Sequence, residues 1–348
     1  MAPTTFKQWT LEGQNGIESL VCAQARMPKE LGEHEVLVKL HAASLNYRDL
    51  AIAKGAKGLV TSHNVVPGSD GAGVIVSIGN LVTPFVPGDK VVTHMTPNFA
   101  EDAFPTFTEI CAGLGHTVDG TIREFGVFDQ SALVHMPKNL SFEEAATLTC
   151  SGLTAWNALF GGGRTIGKGD SVLTQGTGGV SIAALQFAHA TGATVISTTS
   201  SSSKASRLTT LGATHTINYR TNPSWGDTAK SLTKNHLGVS NIIDVGGLST
   251  LPESLKAVRV EGVVTVTGVL GKEAKETPSL MDTLWRVCSV RGILLGSKRQ
   301  FGDMVRFVEE MDVRPVVDER VFGIDEVREA YTWIEEQKHF SKVVIKMA

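Results

Sequence analysis

Several features of a secreted, membrane-bound or nucleic-acid-binding chain are missing from this sequence. There are only four cysteines, Cys22, Cys111, Cys150 and Cys288, and none forms a CxxC pair. A disulfide framework is therefore not expected, and a reducing compartment fits. No uninterrupted apolar stretch reaches the roughly 18 residues that a membrane-spanning helix needs. The start, Met1-Ala2-Pro3-Thr4-Thr5, has no basic region leading into an apolar run, so no secretory signal is expected. The end, Lys346-Met347-Ala348, is not a peroxisomal SKL-type address. There is no Lys/Arg-rich run and the formal net charge is −3, which argues against a nucleic-acid partner. The ten histidines are scattered, with no HxxxH or HxH pair. The expectation is a soluble cytoplasmic protein with no membrane and no nucleic-acid partner.

What is present is a globular composition, with 42% hydrophobic and 19% charged residues. A chain of 348 residues suggests two domains with a large core. The first part is β-rich. Val36–Leu40, Gly73–Ile78 and Lys90–Thr93 read as short strands, the last two behind Pro-Gly turn clusters. Such strands suggest a small barrel-like domain. Ser141 and Glu144 read as N-cap and capping box of a helix running on through Ala145–Thr149.

From Ser171 strands and helices alternate. Strands are expected at Ser171–Gln175, Thr194–Thr198, Thr216–Tyr219, Asn241–Val245, Gly262–Thr267 and Val290–Leu295. Helices are expected at Val180–Thr191 and Lys204–Leu211, the second ended by Gly212. Alternation predicts an α/β fold: a doubly wound parallel sheet with helices on both faces, in the dinucleotide-binding order 3-2-1-4-5-6. The final strand, Lys342–Lys346, is expected to rejoin the first domain. The expected domains are therefore residues 1–150 with 296–348, and residues 151–295.

The strongest local signal is Gln175-Gly176-Thr177-Gly178-Gly179-Val180-Ser181, between a strand and a helix. Gly176 permits a tight turn, Gly178 allows the backbone to approach a pyrophosphate, and the N–H groups of the helix start face the phosphates. Ser181 stands at the third small position. A plain βα turn without ligand is the alternative, which the βαβ context disfavours. The end of the second strand chooses between nucleotides. An NAD enzyme usually carries Asp or Glu there to bond the ribose hydroxyls. This chain has Thr198-Thr199-Ser200-Ser201-Ser202-Ser203-Lys204. Small hydroxyls leave room for a 2′-phosphate at Thr199 and Ser200, and Lys204 supplies a cation, so NADPH is the expected cofactor. A solvated polar loop is the plainer reading of the same residues.

These segments together resemble the medium-chain dehydrogenase/reductase superfamily over essentially the whole chain. The markers are Asn46-Tyr47-Arg48-Asp49, Pro67-Gly68-Ser69-Asp70-Gly71-Ala72-Gly73, Pro87-Gly88-Asp89-Lys90-Val91, Cys150-Ser151-Gly152-Leu153-Thr154-Ala155-Trp156 and the glycine turn. Within it the chain looks like the zinc-independent quinone oxidoreductase and enoyl reductase branch. The resemblance implies a GroES-like catalytic domain beside the Rossmann domain, and a homodimer. It implies that Lys204 and Tyr219 grip the 2′-phosphate, and that Thr154, Gly268-Val269-Leu270 and Leu294-Leu295-Gly296 lie beside the nicotinamide. Lys338-His339-Phe340-Ser341-Lys342 resembles the family's C-terminal cofactor contact, with Lys338 as a cofactor residue and Ser341 where Gly is usual.

Zinc-dependent relatives carry Cys where this chain has Asn46 and His-Glu where it has Ser69-Asp70. Only Cys150 keeps a ligand type, and residues 94–120 hold one cysteine, Cys111, in place of a four-Cys lobe. One thiolate does not assemble a tetrahedral site. The expected metal is none, with a rebuilt site using His63, His94 or Asp70 as the alternative. Without a metal, reduction of an isolated carbonyl lacks a strong stabiliser of alkoxide charge. A conjugated C=C bond or a quinone spreads that charge. Hydride transfer from NADPH to an enone, enal or quinone is therefore the expected reaction. Asn46 and Tyr47 are the catalytic candidates: Asn46 to orient the nicotinamide amide or polarise the substrate carbonyl, or as a turn residue, and Tyr47 to donate a hydrogen bond or proton, or as a packed aromatic. Arg48 and Asp49 pair with each other or cap a helix. Asn98–Phe107 is a candidate cleft-lining loop, or generic surface. The alternatives are an alcohol dehydrogenase, an enoyl reductase acting on carrier-bound chains, and a catalytically silent NADPH-binding protein.

Overall fold

The 11-residue strand Glu35–Leu45 organises the first part of the chain, because three other strands pair with it. The structure is a computed structural model and describes residues 3–61, 64–163, 165–271 and 277–347. It divides into two compact units, Met1–Leu153 with Ser297–Ala348, and Thr154–Gly296. Among the described residues no helix is long and apolar enough to cross a membrane.

In the first unit, Asp70–Ile78 runs antiparallel along one edge of Glu35–Leu45. The other edge is shared. Phe125–Asp129 takes the first half, Lys39 to Glu35, and Val343–Lys346 takes the second half, Ala42 to Leu45. Lys90–Thr93 and Leu133–His135 extend the sheet beyond Asp70–Ile78, and Phe322–Gly323 closes it beside Val343–Lys346. Gly73 is required at a register shift, where an added Cβ would lie 2.2 Å from the carbonyl oxygen of Lys39. Val36, Val38 and Leu40 of Glu35–Leu45 share one core with Trp9, Phe128, Phe322 and Tyr331. Trp9 is pinned by its indole N–H, which donates to Ile324 O at 2.7 Å.

The helix expected through Thr149 stops at Ala145. Ser141 caps it and Glu144 closes the capping box, as the spacing predicts. The chain then opens into a wide π-type turn, Leu148–Gly152, in which Thr149 Oγ1 donates to Thr93 O at 2.7 Å. That turn keeps residues 151–153 with the first unit, so the boundary falls at Leu153 rather than at residue 150.

The second unit is a six-stranded parallel sheet. Its strands in chain order are Ser171–Gln175, Thr194–Thr199, His215–Asn218, Val239–Asp244, Val258–Val266 and Ser289–Gly292. Their spatial order is third, second, first, fourth, fifth, sixth. The two central strands, Ser171–Gln175 and Val239–Asp244, are buried at every position, as parallel strands covered on both faces must be. The sixth strand is shorter than expected and lies mostly exposed at the edge.

Candidate active site

The nucleotide turn sits where the first and fourth strands of the parallel sheet part, the switch point of a doubly wound fold. Gly176 takes φ 74°, a left-handed turn that other residues resist, and its N–H donates to Thr198 O at 2.9 Å. Gly178 is the N-cap of the helix Gly179–Ala190 and contributes no side-chain cap, so the first N–H groups of that helix stay available. Thr177, Gly179 and Val180 are half-buried there. Ser181 turns inward, its hydroxyl donating to Gln175 O at 2.6 Å, and so braces the turn from beneath.

Gln175 carries a second brace. Its Nε2 donates to Asp244 Oδ2 at 3.0 Å and its Oε1 accepts from Val245 N–H at 3.1 Å. Asp244 is fully buried and also accepts from Ser254 Oγ, Thr250 Oγ1 and Gly247 N–H. The carboxylate thus ties together the loops leaving both central strands.

At the end of the second strand Thr199 is buried and Ser200 half-buried. Ser201 caps the helix Ser202–Thr210, its Oγ accepting from Lys204 N–H at 3.4 Å. Tyr219 is drawn alongside by its N–H, which donates to Thr199 O at 3.0 Å, and its ring is exposed. The backbone thus sets Thr199, Ser200 and Tyr219 at neighbouring strand ends and Lys204 in the first turn of the helix that follows, with no carboxylate among residues 198–204. Gly268, Val269 and Leu270 follow the fifth strand, and Leu270 N–H donates to Val245 O at 3.1 Å. Leu294 is exposed, whereas Leu295 is buried, with its carbonyl accepting from Asn157 Nδ2 at 2.6 Å. Thr154 is buried near the start of the helix Leu153–Phe160, and Gly296 closes the unit.

The second cluster lies within the first unit and follows from strand register. Leu45 faces Val343, and Ser44 faces Asp70. Asn46, which follows Leu45, and Lys342, which precedes Val343, therefore meet beside Asp70. Lys342 Nζ donates to Asn46 Oδ1, to Leu45 O at 2.9 Å and to Asp70 Oδ2 at 3.3 Å. Lys342 is 4% exposed and Asp70 0%. Asp70 also accepts from Ser69 Oγ at 2.7 Å, Ser44 Oγ at 3.3 Å and Cys150 N–H at 3.3 Å. Ser151 Oγ donates to Asn46 Oδ1 at 3.2 Å. Burial, reinforced by the charge of Asp70, pushes the Cys150 thiol up to about 12.

Asn46 also precedes the helix Tyr47–Ala53, and its backbone N–H donates to Asp49 Oδ2 at 2.7 Å. Arg48 lies 3.5 Å from the other oxygen of Asp49. Both sequence readings of this pair hold together. Burial lifts the Asp49 carboxyl to about 6 against the opposing pull of Arg48. Tyr47 is exposed at the first position of the helix. His94 is buried and pushed down to about 4 by that burial. Its Nδ1 bonds Thr96 O, while its Nε2 has no partner among the described residues. His63 lies outside the described residues. Lys338 is engaged locally, 2.7 Å from Glu336 and over the Trp333 ring.

Comparison with known proteins places the chain in a family. Residues 32–138 match the alcohol dehydrogenase GroES-like domain family and residues 179–310 the zinc-binding dehydrogenase family. A zinc-type alcohol dehydrogenase-like protein of Schizosaccharomyces pombe is 45% identical over 338 residues, covering 96% of each chain. The chain belongs to the medium-chain dehydrogenase/reductase superfamily. It is an oxidoreductase of that superfamily, with a GroES-like and a Rossmann-type domain. Mouse quinone oxidoreductase is 29% identical over 291 residues, covering 82% of this chain and 80% of its own. A solved structure of an NAD-dependent alcohol dehydrogenase superposes with a TM-score of 0.85 at 32% identity, covering 98% of this chain and 100% of its own.

Within the superfamily frame, sequence reasoning missed Lys342 as a partner of Asn46. It read the segment 338–342 only as a cofactor contact. The available signal was a lysine directly before the apolar run Val343-Val344-Ile345, which only strand register turns inward. Ser341, at the usual Gly position, takes φ 66°, the left-handed conformation that a glycine there would favour. The Asp244–Gln175 brace also escaped, since both residues sit in otherwise ordinary strand patterns.

Proposed function

We propose that this oxidoreductase uses NADPH to reduce a conjugated carbonyl compound, an enone or enal, or a quinone, without zinc. The observation that carries this reading is the buried Lys342 ammonium bonded to Asn46 and Asp70. By family resemblance Asn46, Ser69-Asp70 and Cys150 stand at zinc-ligand positions. A zinc ion does not fit this set. Asn46 and Ser69 offer neutral oxygens, Cys150 is a single thiol, and the sole carboxylate already faces a cation. No group of three or more His, Cys, Asp or Glu able to hold a metal occurs among the described residues.

A pyridine nucleotide does fit the second unit. The Gly176 turn, the uncapped helix start at Gly178, and the hydroxyl-lined end of the second strand with Lys204 and Tyr219 support NADPH over NADH. Bound NADPH supplies hydride. With that hydride the substrate would gain a hydrogen at its β-carbon, the C=C electron pair would move onto the carbonyl oxygen as an enolate, and a proton from solvent would complete the α-carbon. Asn46 donates a hydrogen bond to that oxygen as charge develops. Tyr47, exposed beside it in sequence, is the second donor candidate. The cofactor candidates Thr154, Gly268–Leu270, Leu294–Gly296 and Lys338 belong to the same reading.

The partner in this reading is a second copy of the chain. The sixth strand, Ser289–Gly292, is an open edge, and Leu280, Leu284, Trp285 and Val290 expose apolar side chains near it. Such an edge is suited to pairing with its own symmetry copy.

The test is a panel assay following NADPH consumption with trans-2-hexenal and menadione, and NADP⁺ reduction with 1-hexanol. Turnover of the enal or quinone should exceed that of the alcohol, and Tyr47→Phe should lower kcat more than it raises KM. Faster reaction of 1-hexanol would replace the reading with an alcohol dehydrogenase.

A further inference from the structure

Asn46 is 9% exposed, and its amide is used unevenly. Oδ1 accepts from Lys342 Nζ and from Ser151 Oγ. Nδ2 is buried and has no hydrogen-bond partner among the described residues. The two ends of an amide are distinguished by their partners, and here the partner decides. An ammonium carries three donors and no acceptor. Turning the amide over would set an N–H₂ group against it, donor to donor. The Ser151 hydroxyl can serve either end, so the ammonium of Lys342 sets the oxygen inward and leaves the N–H₂ unmatched. A buried donor without a partner is costly and calls for an explanation, of which a catalytic role is one.

Lys342 has no proton left to offer that ligand. Its three donors meet three acceptors: Leu45 O, Asn46 Oδ1 and Asp70 Oδ2. Asp70 in turn is held by Ser69, Ser44 and the Cys150 N–H. Any influence of Lys342 on a substrate therefore passes through Asn46. The ammonium on Oδ1 also polarises the amide and strengthens its N–H groups as donors.

We propose that Lys342 is a positioning residue that locks the Asn46 amide with its oxygen inward, presenting Nδ2–H₂ to the oxygen of a carbonyl substrate. The inference rests on the reading of Asn46 as the donor to the substrate and adds the group that orients it. Serine 151 assists as the second donor to the same oxygen. Asp70 supplies the counter-charge that lets the ammonium stay buried.

The test is a double-mutant cycle of Asn46→Ala and Lys342→Met in the full chain, read on trans-2-hexenal, menadione and 1-hexanol. Because Lys342→Met leaves Asp70 without its counter-ion, Lys342→Met and the double variant are also made with Asp70→Asn, which removes the two buried charges together. Each single change should lower kcat by about 10²-fold, with the Kd for NADPH within about twofold of the parent. The double variant should be no slower than Asn46→Ala alone, since contacting residues that act as one do not add. Losses that multiply in the double variant overturn the proposal. So does a Lys342→Met protein whose loss lies mainly in NADPH binding. If only 1-hexanol is turned over, the enone reading falls while the cycle is still measured on that alcohol. If no probe reacts, the Tm values of the parent, Asn46→Ala, Lys342→Met with Asp70→Asn, and the variant carrying all three changes decide: coupled shifts sustain the contact that the proposal needs, and additive shifts overturn it.

Discussion

Gln175 donates through Nε2 to Asp244 at 3.0 Å, joining the ends of the first and fourth strands where the parallel sheet changes direction. Four donors converge on this one buried carboxylate. Asp244→Asn exchanges one acceptor oxygen for a donor, so at least one of the four loses its partner. The expected cost is about 1–3 kcal/mol, that of a buried polar group left unmatched. Denaturant unfolding of the variant should show it. A midpoint equal to that of the parent would mean that the brace contributes nothing.

Nucleotide preference is predicted from Thr199, Ser200, Lys204 and Tyr219. NADPH should bind more tightly than NADH by about tenfold or more, the effect of one or two hydrogen bonds to a charged group at roughly 1.5–3 kcal/mol each. Lys204→Ala should weaken NADPH and leave NADH nearly unchanged. Fluorescence titration with both nucleotides measures this, and equal affinities in the parent protein would contradict it.

Metal independence is predicted from the Lys342–Asp70–Asn46 cluster. Exhaustive chelation should leave turnover within about twofold of its starting value, because no step in the proposed reaction needs a Lewis acid. A large loss that added zinc restores would refute the prediction.

Asp49 makes stability depend on pH. Its carboxyl lies at about 6 in the folded protein against an ordinary value of 3.8. A carboxyl raised by folding contributes stability in full below 3.8 and loses it as pH rises through 6, because the buried site must then hold a charge. Asp49→Asn cannot ionise. Relative to the parent it should gain up to roughly 3 kcal/mol between pH 4 and pH 8, at 1.36 kcal/mol for each pKa unit. Parallel unfolding curves at the two pH values would show it. A difference independent of pH would mean that Asp49 is not displaced.

The proposed homodimer is predicted to fall apart on a change at the exposed edge. Light scattering of the parent should give twice the chain mass of 37.1 kDa. Trp285→Arg, at a residue 74% exposed, should give the single chain while leaving the nucleotide Kd within about twofold. Desolvating an unpaired guanidinium in an interface costs several kcal/mol. A parent protein that scatters as a single chain at all concentrations would rule the dimer out.

Much of the fold was legible in the residues themselves. The parallel sheet announced itself through apolar β-branched segments alternating with helical ones, and six strands in two halves pointed to the dinucleotide-binding order. The glycine turn carried its own conformational demand at Gly176, and Ser141 with Glu144 marked a helix start by local hydrogen bonding. These features depend on neighbours close in the chain, so periodicity and composition suffice to find them. The absence of a carboxylate after the second strand was likewise visible without coordinates.

Other features were settled only when distant segments met. The helix after Ser141 was expected to continue, yet it breaks at Ala145. There Thr149 bonds the end of a strand 56 positions away, at Thr93, and the chain opens into a π-type turn. Lys342 and Asn46 lie 296 positions apart. Nothing in the local pattern around Lys342 separates a surface lysine from one whose ammonium is buried. Register decides it: once Leu45 pairs with Val343 and Ser44 with Asp70, the residues at the three strand ends have no freedom left. A side chain's partners across a sheet are set by which strands pair and by how many residues they are offset. Those quantities belong to the tertiary structure, whereas the chain alone determined that there would be strands to pair.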